Sequence, residues 1–227
     1  MGARGSDVAL ARTYAVIDRL VALGTAVAAS DGSEHSLFPL AVPVAEGRRL
    51  RDWVVREGAA RTIEIGLGYG LSALFVCAGL ISTGAGKAHH LVIDPNQDTR
   101  FARCGLQFLE EAGVLHLVEH HAEESQIVLP RLLRDGRTFD LAFVDGNHRF
   151  DRVFLDLIYL GRLLGPGRIV FVDDYQLAGI AKAVSFCVTN LGWTREEVSA
   201  ADSLHQWAVL RTADAADDRA FDYYVDF

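Results

Sequence analysis

The sequence of 227 residues predicts a doubly wound α/β domain, a seven-stranded and mostly parallel sheet, with an N-terminal helical lid before it. Three observations predict it. From Arg61 onward, short apolar runs alternate with helical stretches, as expected of strands buried on both faces by crossover helices. Glycines and acids gather where those runs end, and in such sheets ligands bind beyond the carboxyl ends of the strands. The first 58 residues carry helical spacing without strands of this kind, so the boundaries are set at 1–58 for the lid and 59–227 for the ligand-binding domain.

The elements follow in order. Val8 to Ala29 is Ala-rich with Val16, Leu20, Leu23 and Val27 at helical spacing, which predicts a first helix. Ser30 to Ser36 breaks it, and Pro39 and Pro43 mark an extended connection. Val44 to Glu57 reads as a second helix, with Gly58 placed for a left-handed cap. The strand candidates are 62–66, 90–94, 115–119, 139–145 and 168–174, with helices near 70–83, 98–112, 125–135 and 149–164 between them. A helix near 176–191 then leads to two more strands, around Thr194–Val198 and Gln206–Arg211.

Composition narrows the function. Lys plus Arg is 22 against 30 for Asp plus Glu, a net charge of -8, so the basic footprint of a nucleic-acid or anionic-membrane binder is absent. No apolar run approaches the ~20 residues that span a bilayer, and MGARGSD lacks the apolar core of a signal peptide. The expectation is a soluble cytoplasmic protein. Cys77, Cys104 and Cys187 are too scattered for a disulfide framework or a metal knuckle and read as reduced core thiols.

The strand ends carry the chemistry. Glu64-Ile65-Gly66-Leu67-Gly68-Tyr69-Gly70 is a strand end followed by a glycine turn and a helix, and its glycines let backbone approach a ligand closely. Leu71 stands where a dinucleotide fingerprint needs its third glycine, so a nicotinamide site fits poorly. Asp94 ends the second strand, where a carboxylate can accept both ribose hydroxyls or cap a helix before Pro95. Asp145, Asp173 and Asp174 end the fourth and fifth strands, and a hard oxygen-seeking cation would offset their mutual repulsion. The alternative is that Asp145 opens a turn with Gly146 while Asp173 or Asp174 caps the next helix. His148, three residues after Asp145, is a candidate general base or a solvated loop histidine.

Together these motifs resemble the class I S-adenosylmethionine-dependent methyltransferases, a Rossmann-like family, over roughly Arg61 to Arg211. The run from Phe139 through Tyr175 is similar to a bacterial branch related to the metal-dependent catechol and macrolide-sugar O-methyltransferases. The resemblance implies that Glu64, Gly66, Gly68 and Gly70 pass under the methionine and sugar of S-adenosylmethionine, and that Asp94 holds the ribose. Ala122 and Glu123 fall near the adenine border, and Asp145 also borders the cofactor. It further implies a divalent metal, usually Mg2+, on Asp145, Asp173 and Asp174, with His148 where the sugar enzymes carry a histidine and the catechol enzymes a lysine. Gly165-Pro166-Gly167-Arg168 departs slightly from the usual Gly-Gly before strand five.

The expected activity is methyl transfer to a hydroxyl of a small-molecule acceptor, catechol-like or a sugar diol. Two alternatives stay open: a metal-independent methyltransferase with His148 as base, and a nucleotide-binding oxidoreductase-like module. The remaining motifs read blandly. His89 and His90 precede a strand as surface histidines, and His120 and His121 follow no zinc spacing. Residues 214–219 form a solvated acidic stretch, and the aromatic end FDYYVDF packs on the sheet or on a second subunit of a homo-oligomer.

Overall fold

The computed structural model describes residues 3–200, 203–215 and 218–227. The chain divides into two compact units, Met1–Glu124 and Ser125–Phe227. The fold is α/β, with a seven-stranded, mostly parallel sheet and flanking helices. Among the described residues no helix is long and apolar enough to cross a membrane.

The first unit opens with α1 (Ala3–Leu23), a hairpin of β1 (Thr25–Val27) and β2 (Glu34–Ser36), and α2 (Val44–Arg56). Then come β3 (Arg61–Ile65), α3 (Leu71–Thr83), β4 (His89–Ile93), α4 (Cys104–Glu111) and, after a short 3-10 turn at Leu115–Leu117, β5 (Val118–His121). Its strands run parallel in the order β5-β4-β3. Helix α3 is apolar all round and buried over Leu71 to Leu80, as a helix covered on every side must be. Both α1 and α2 pack on it. Gly47 of α2 and Gly79 of α3 permit the close approach: a Cβ at Gly47 would sit 2.2 Å from the Phe75 ring, and one at Gly79 2.8 Å from Val54.

The second unit comprises α5 (Ser125–Arg134), β6 (Leu141–Val144), α6 (Phe150–Leu164), β7 (Ile169–Val172), α7 (Ala178–Leu191), β8 (Thr194–Val198) and β9 (Ala208–Arg211). Its strand order is β6-β7-β9-β8, with β9 antiparallel to both neighbours. β6 and β7 are buried along their whole length, as their uninterrupted apolar runs require.

Several expectations need correction. The first helix stops at Leu23 because Gly24, at φ 64°, turns the chain; residues 25–27 then pair with 34–36 in a hairpin that Ala-rich propensity concealed. The stretch before α4 is a set of turns: Asn96 O accepts from the N–H of Arg100 (2.9 Å) and Phe101 (3.1 Å), and Ala102 and Arg103 take positive φ. The third parallel strand begins three residues late, at Val118. His89 and His90 lie inside β4, and His90 is fully buried, its ring between the Glu64 carboxylate (2.8 Å) and the Thr62 hydroxyl (2.9 Å). The aromatic end packs on α7. The Asn190 side chain brackets Val225, donating to its carbonyl (2.8 Å) and accepting from its N–H (2.9 Å), and the Phe227 ring lies 5.0 Å from Phe186. Of the acidic stretch, residues 216–217 lie outside the described residues. The three cysteines are buried free thiols, and burial pushes Cys187 up to about 12.

Candidate active site

Register places the first group of predicted residues on one edge. Ile65, Ile93 and His121 are neighbours across β3, β4 and β5, so Gly66, Asp94 and Ala122 leave the sheet side by side. Gly66, Gly68 and Gly70 all adopt positive φ (94°, 52° and 80°), which requires glycine at each turn of this loop. Gly66 N–H donates to Ile93 O across the strand ends at 2.9 Å.

Asp94 is buried, and its carboxylate is the anchor of the loop. Oδ2 accepts from the backbone N–H of Leu67 (3.1 Å) and Gly68 (2.9 Å) and from Gln97 Nε2 (3.0 Å), while Oδ1 accepts from Asn96 N–H at 2.7 Å. Asp94 caps no helix, since turns follow it; Oδ1 closes the turn at Pro95 and Oδ2 holds the glycine loop. His120, on the edge strand, donates from Nε2 to Asp94 O at 2.9 Å.

Glu64 lies beneath the loop. Its carboxylate accepts from Ser72 Oγ (2.5 Å) at the start of α3 and from His90 Nε2 (2.8 Å), while His90 Nδ1 sits 2.9 Å from the Thr62 hydroxyl. All four side chains are buried, so the group satisfies itself where an unpaired polar atom would be costly. Sequence reasoning missed His90 and Ser72; the period-2 alternation that puts Thr62 and Glu64 on one face of β3 was the available signal. Tyr69 in the loop packs edge-on against Phe101 at 5.1 Å, and the hairpin brings His35 to 6.0 Å from the same ring. Burial pushes the Tyr69 phenol above its ordinary value. Ala122 and Glu123 are both exposed just past the end of β5.

The second unit brings the other group together. Val144 and Val172 pair across β6 and β7, so Asp145 and Asp173 emerge at one edge, and Asp173 N–H donates to Val144 O at 3.0 Å. Oxygens of Asp145 and Asp174 and a ring nitrogen of His148 lie within 4.8 Å of one another. His148 Nε2 is 3.0 Å from Asp174 Oδ2 and 3.8 Å from Asp145 Oδ1. Asp173 is turned elsewhere, its Oδ1 lying 2.8 Å from His205 Nε2 and accepting from Asp174 N–H at 2.6 Å. Asp174 takes φ 53°, sparsely populated for a non-glycine residue, and Gln176 Nε2 donates to its Oδ1 at 2.6 Å.

The electrostatics follow from crowding. Burial pushes the Asp145 carboxyl well above the usual range, the neighbouring His148 imidazole opposes this, and the charges of Asp173 and Asp174 add to the rise. The Asp145 carboxylate, with Asp174 and Asp173 behind it, raises the His148 imidazole against the opposing effect of burial. Asp145 and Asp174 each offer a carboxylate oxygen here, and His148 a ring nitrogen, a group that could hold a divalent cation. His205 was missed because it lies on no parallel strand end. The antiparallel pairing of β9, Val172 opposite Ala208, carries the residues before β9 to the end of β7 where Asp173 sits.

Residues 63–175 match the family described as a methyltransferase domain. This match identifies residues 63–175 as a methyltransferase domain, carried on the α/β fold. The particular proteins it is similar to include some named O-methyltransferases. Tricin synthase 1 of Oryza sativa subsp. japonica is 30% identical over 150 residues, 59% of this chain and 57% of that protein. Caffeoyl-CoA O-methyltransferase 1 of Zea mays is 30% identical over 142 residues, 57% of this chain and 53% of that one. The chain thus spans about half the length of the curated relatives it matches. The crystal structure of TomG from Streptomyces achromogenes, an O-methyltransferase of tomaymycin synthesis solved with S-adenosylmethionine, superposes with a TM-score of 0.67. It covers 90% of this chain and 89% of that one at 22% identity, a likeness of fold.

Proposed function

We propose that this protein transfers the methyl group of S-adenosylmethionine to a hydroxyl oxygen of a small molecule presenting vicinal oxygens, with a divalent cation, Mg2+ by the oxygen-rich donor set, assisting. The observation that carries the reading is the glycine loop held by Asp94, with the relatives' names giving the oxygen acceptor.

S-Adenosylmethionine supplies a sulfonium carbon open to in-line displacement, so the protein's task is alignment and deprotonation. Gly66, Gly68 and Gly70 keep side chains out of the ligand's path, and Asp94 Oδ1, with one protein donor on it, keeps a lone pair for a ribose hydroxyl. Ala122 and Glu123 border the adenine side. Glu64 holds Ser72 and hence the first turn of α3 behind the loop. Asp145 and Asp174, with Asp173 beside them, would hold the cation, which would lower the pKa of a hydroxyl bound there. His148 accepts the proton at Nε2, and Asp145 and Asp174 stabilise the imidazolium that results. The helices and hairpin before β3 would serve as the cover that excludes water, a role supported by the hairpin's His35, 6.0 Å from Tyr69. Calorimetric titration with S-adenosylhomocysteine, and turnover of a catechol before and after EDTA, test the two parts separately.

A further inference from the structure

The buried amide of Gln97 has no role in the reading above, and its surroundings are unusual. Gln97 Nε2 donates to Gly68 O at 2.7 Å and to Asp94 Oδ2 at 3.0 Å, so both amide hydrogens are spent on the glycine loop and on the carboxylate that anchors it. The two oxygens facing Nε2 fix which way round the amide lies. Oε1, buried with it, has no hydrogen-bond partner among the described residues. A buried orphan acceptor is costly, and an apolar side chain of the same length would avoid the cost. The residue is therefore better explained by what its NH2 group holds than by packing.

What it holds is the orientation of one peptide. With Gly68 O drawn down onto Gln97, the planar trans geometry of the Gly68–Tyr69 peptide turns Tyr69 N–H to the opposite side. Two further features serve the same end. A Cβ on Gly105, at the start of α4, would lie 2.7 Å from Gly68 O and 3.0 Å from Gln97 Oε1, so only glycine leaves room for this arrangement. Gln97 is itself fixed from behind, its carbonyl accepting from Arg103 N–H at 2.7 Å, next to Ala102 and Arg103 in positive φ.

We infer that Gln97 is a positioning residue of the cofactor site: it latches the Gly68 carbonyl to Asp94, so that Tyr69 N–H is presented to the ligand and the Asp94 carboxylate is set before the ligand arrives. This inference rests on the assignment of the loop to S-adenosylmethionine. Pre-organisation of this kind acts on affinity, because the loop need not be ordered at the moment of binding.

Three variants test it, with S-adenosylhomocysteine as the titrant in calorimetry and thermal melting of the free protein alongside. Gln97→Met keeps the length, removes both donors and removes the orphan oxygen. Its Kd is expected to rise about tenfold, the worth of one hydrogen bond, while its Tm changes little because loss of the orphan oxygen offsets loss of the two donors. In turnover the loss falls on the KM for S-adenosylmethionine more than on kcat. Gln97→Glu, which sets a second carboxylate against Asp94, weakens binding further. Should Gln97→Met fail to fold, Gln97→Asn keeps the amide but withdraws it by one methylene and is expected to give the same direction. A wild-type protein that binds and a folded Gln97→Met or Gln97→Asn that binds equally well overturn the latch alone; a lowered Tm with unchanged Kd does the same by showing a purely structural role. A wild-type protein that takes up no S-adenosylhomocysteine overturns the functional reading, and the latch with it.

Discussion

Replacing Asp94 by Asn keeps the shape of the side chain and changes one acceptor into a donor. The carboxylate receives four N–H groups, three on Oδ2 and one on Oδ1. If the new NH2 takes the Oδ2 position it confronts Leu67 N–H, Gly68 N–H and the Gln97 amide at once; if it takes the Oδ1 position it confronts Asn96 N–H alone, the cheaper choice. That choice still costs one charge-assisted bond and leaves a donor unpaired, on the order of 2–3 kcal/mol of stability. For a chain of this size the melting temperature should fall by roughly 5–10 °C. The lost position is also the one the proposed function gives to a ribose hydroxyl, so affinity for S-adenosylhomocysteine should drop by roughly 10–100-fold beyond the change in melting. Thermal melting gives the first number and calorimetry at a temperature where the variant is folded gives the second. An Asp94→Asn protein with wild-type melting and wild-type affinity would refute the placing of this carboxylate at the hub of the loop.

Four further outcomes are expected. His148→Ala should lower turnover by roughly 10²–10⁴-fold while S-adenosylhomocysteine titrates as in wild type; near-normal turnover would leave the imidazole a mere neighbour of Asp174. EDTA should abolish activity and Mg2+ restore it, and Asp145→Asn should need far more Mg2+ for the same rate, followed by turnover against metal concentration. Gly105→Ala drives a methyl against Gly68 O, so S-adenosylhomocysteine affinity and melting temperature should both fall, by about 1–3 kcal/mol for an overpacked contact. Asp156, buried within α6, is pushed by burial from 3.8 to about 6, with Ser125 and Arg152 opposing. A carboxyl raised on folding stabilises the protonated native state: that contribution is complete below pH 3.8 and is lost as pH rises through about 6. Asp156→Asn should therefore stabilise at pH 8, by on the order of 3 kcal/mol at most, and by little at pH 4; an equal gain at both pH values in denaturant melts would show that ionisation is not the cause.

Legibility in the sequence followed burial and periodicity. β6 and β7 were readable because a strand covered on both faces is an unbroken apolar run, and α3 because Gly70 and Gly84 bracket it with positive φ. The residues at the parallel strand ends were readable for the same reason, since where a run stops the chain leaves the sheet. The hairpin of β1 and β2 was not, because three-residue strands are made by pairing across a turn and leave no period of their own. His205 and Gln97 escaped for a related reason: their partners are distant in sequence or lie in irregular turns, where no periodicity marks which way a side chain faces. His90 misled because a histidine pair at the start of a strand looks like surface, and only the buried carboxylate of Glu64 opposite it explains the burial. The division of the three acids was also beyond the sequence. Asp173 and Asp174 are adjacent, yet the positive φ of Asp174 sends one toward His205 and the other toward His148.

Transfer of labelled methyl from S-adenosylmethionine to a catechol acceptor, with Mg2+ present and with the product located by mass spectrometry, tests the central claim most directly. The account predicts a single added methyl on a catechol oxygen, lost in Asp94→Asn at limiting cofactor and lost in His148→Ala at any cofactor concentration. Label that reaches no oxygen in catechols, sugar diols or simple phenols, from a protein that binds S-adenosylmethionine, would contradict it.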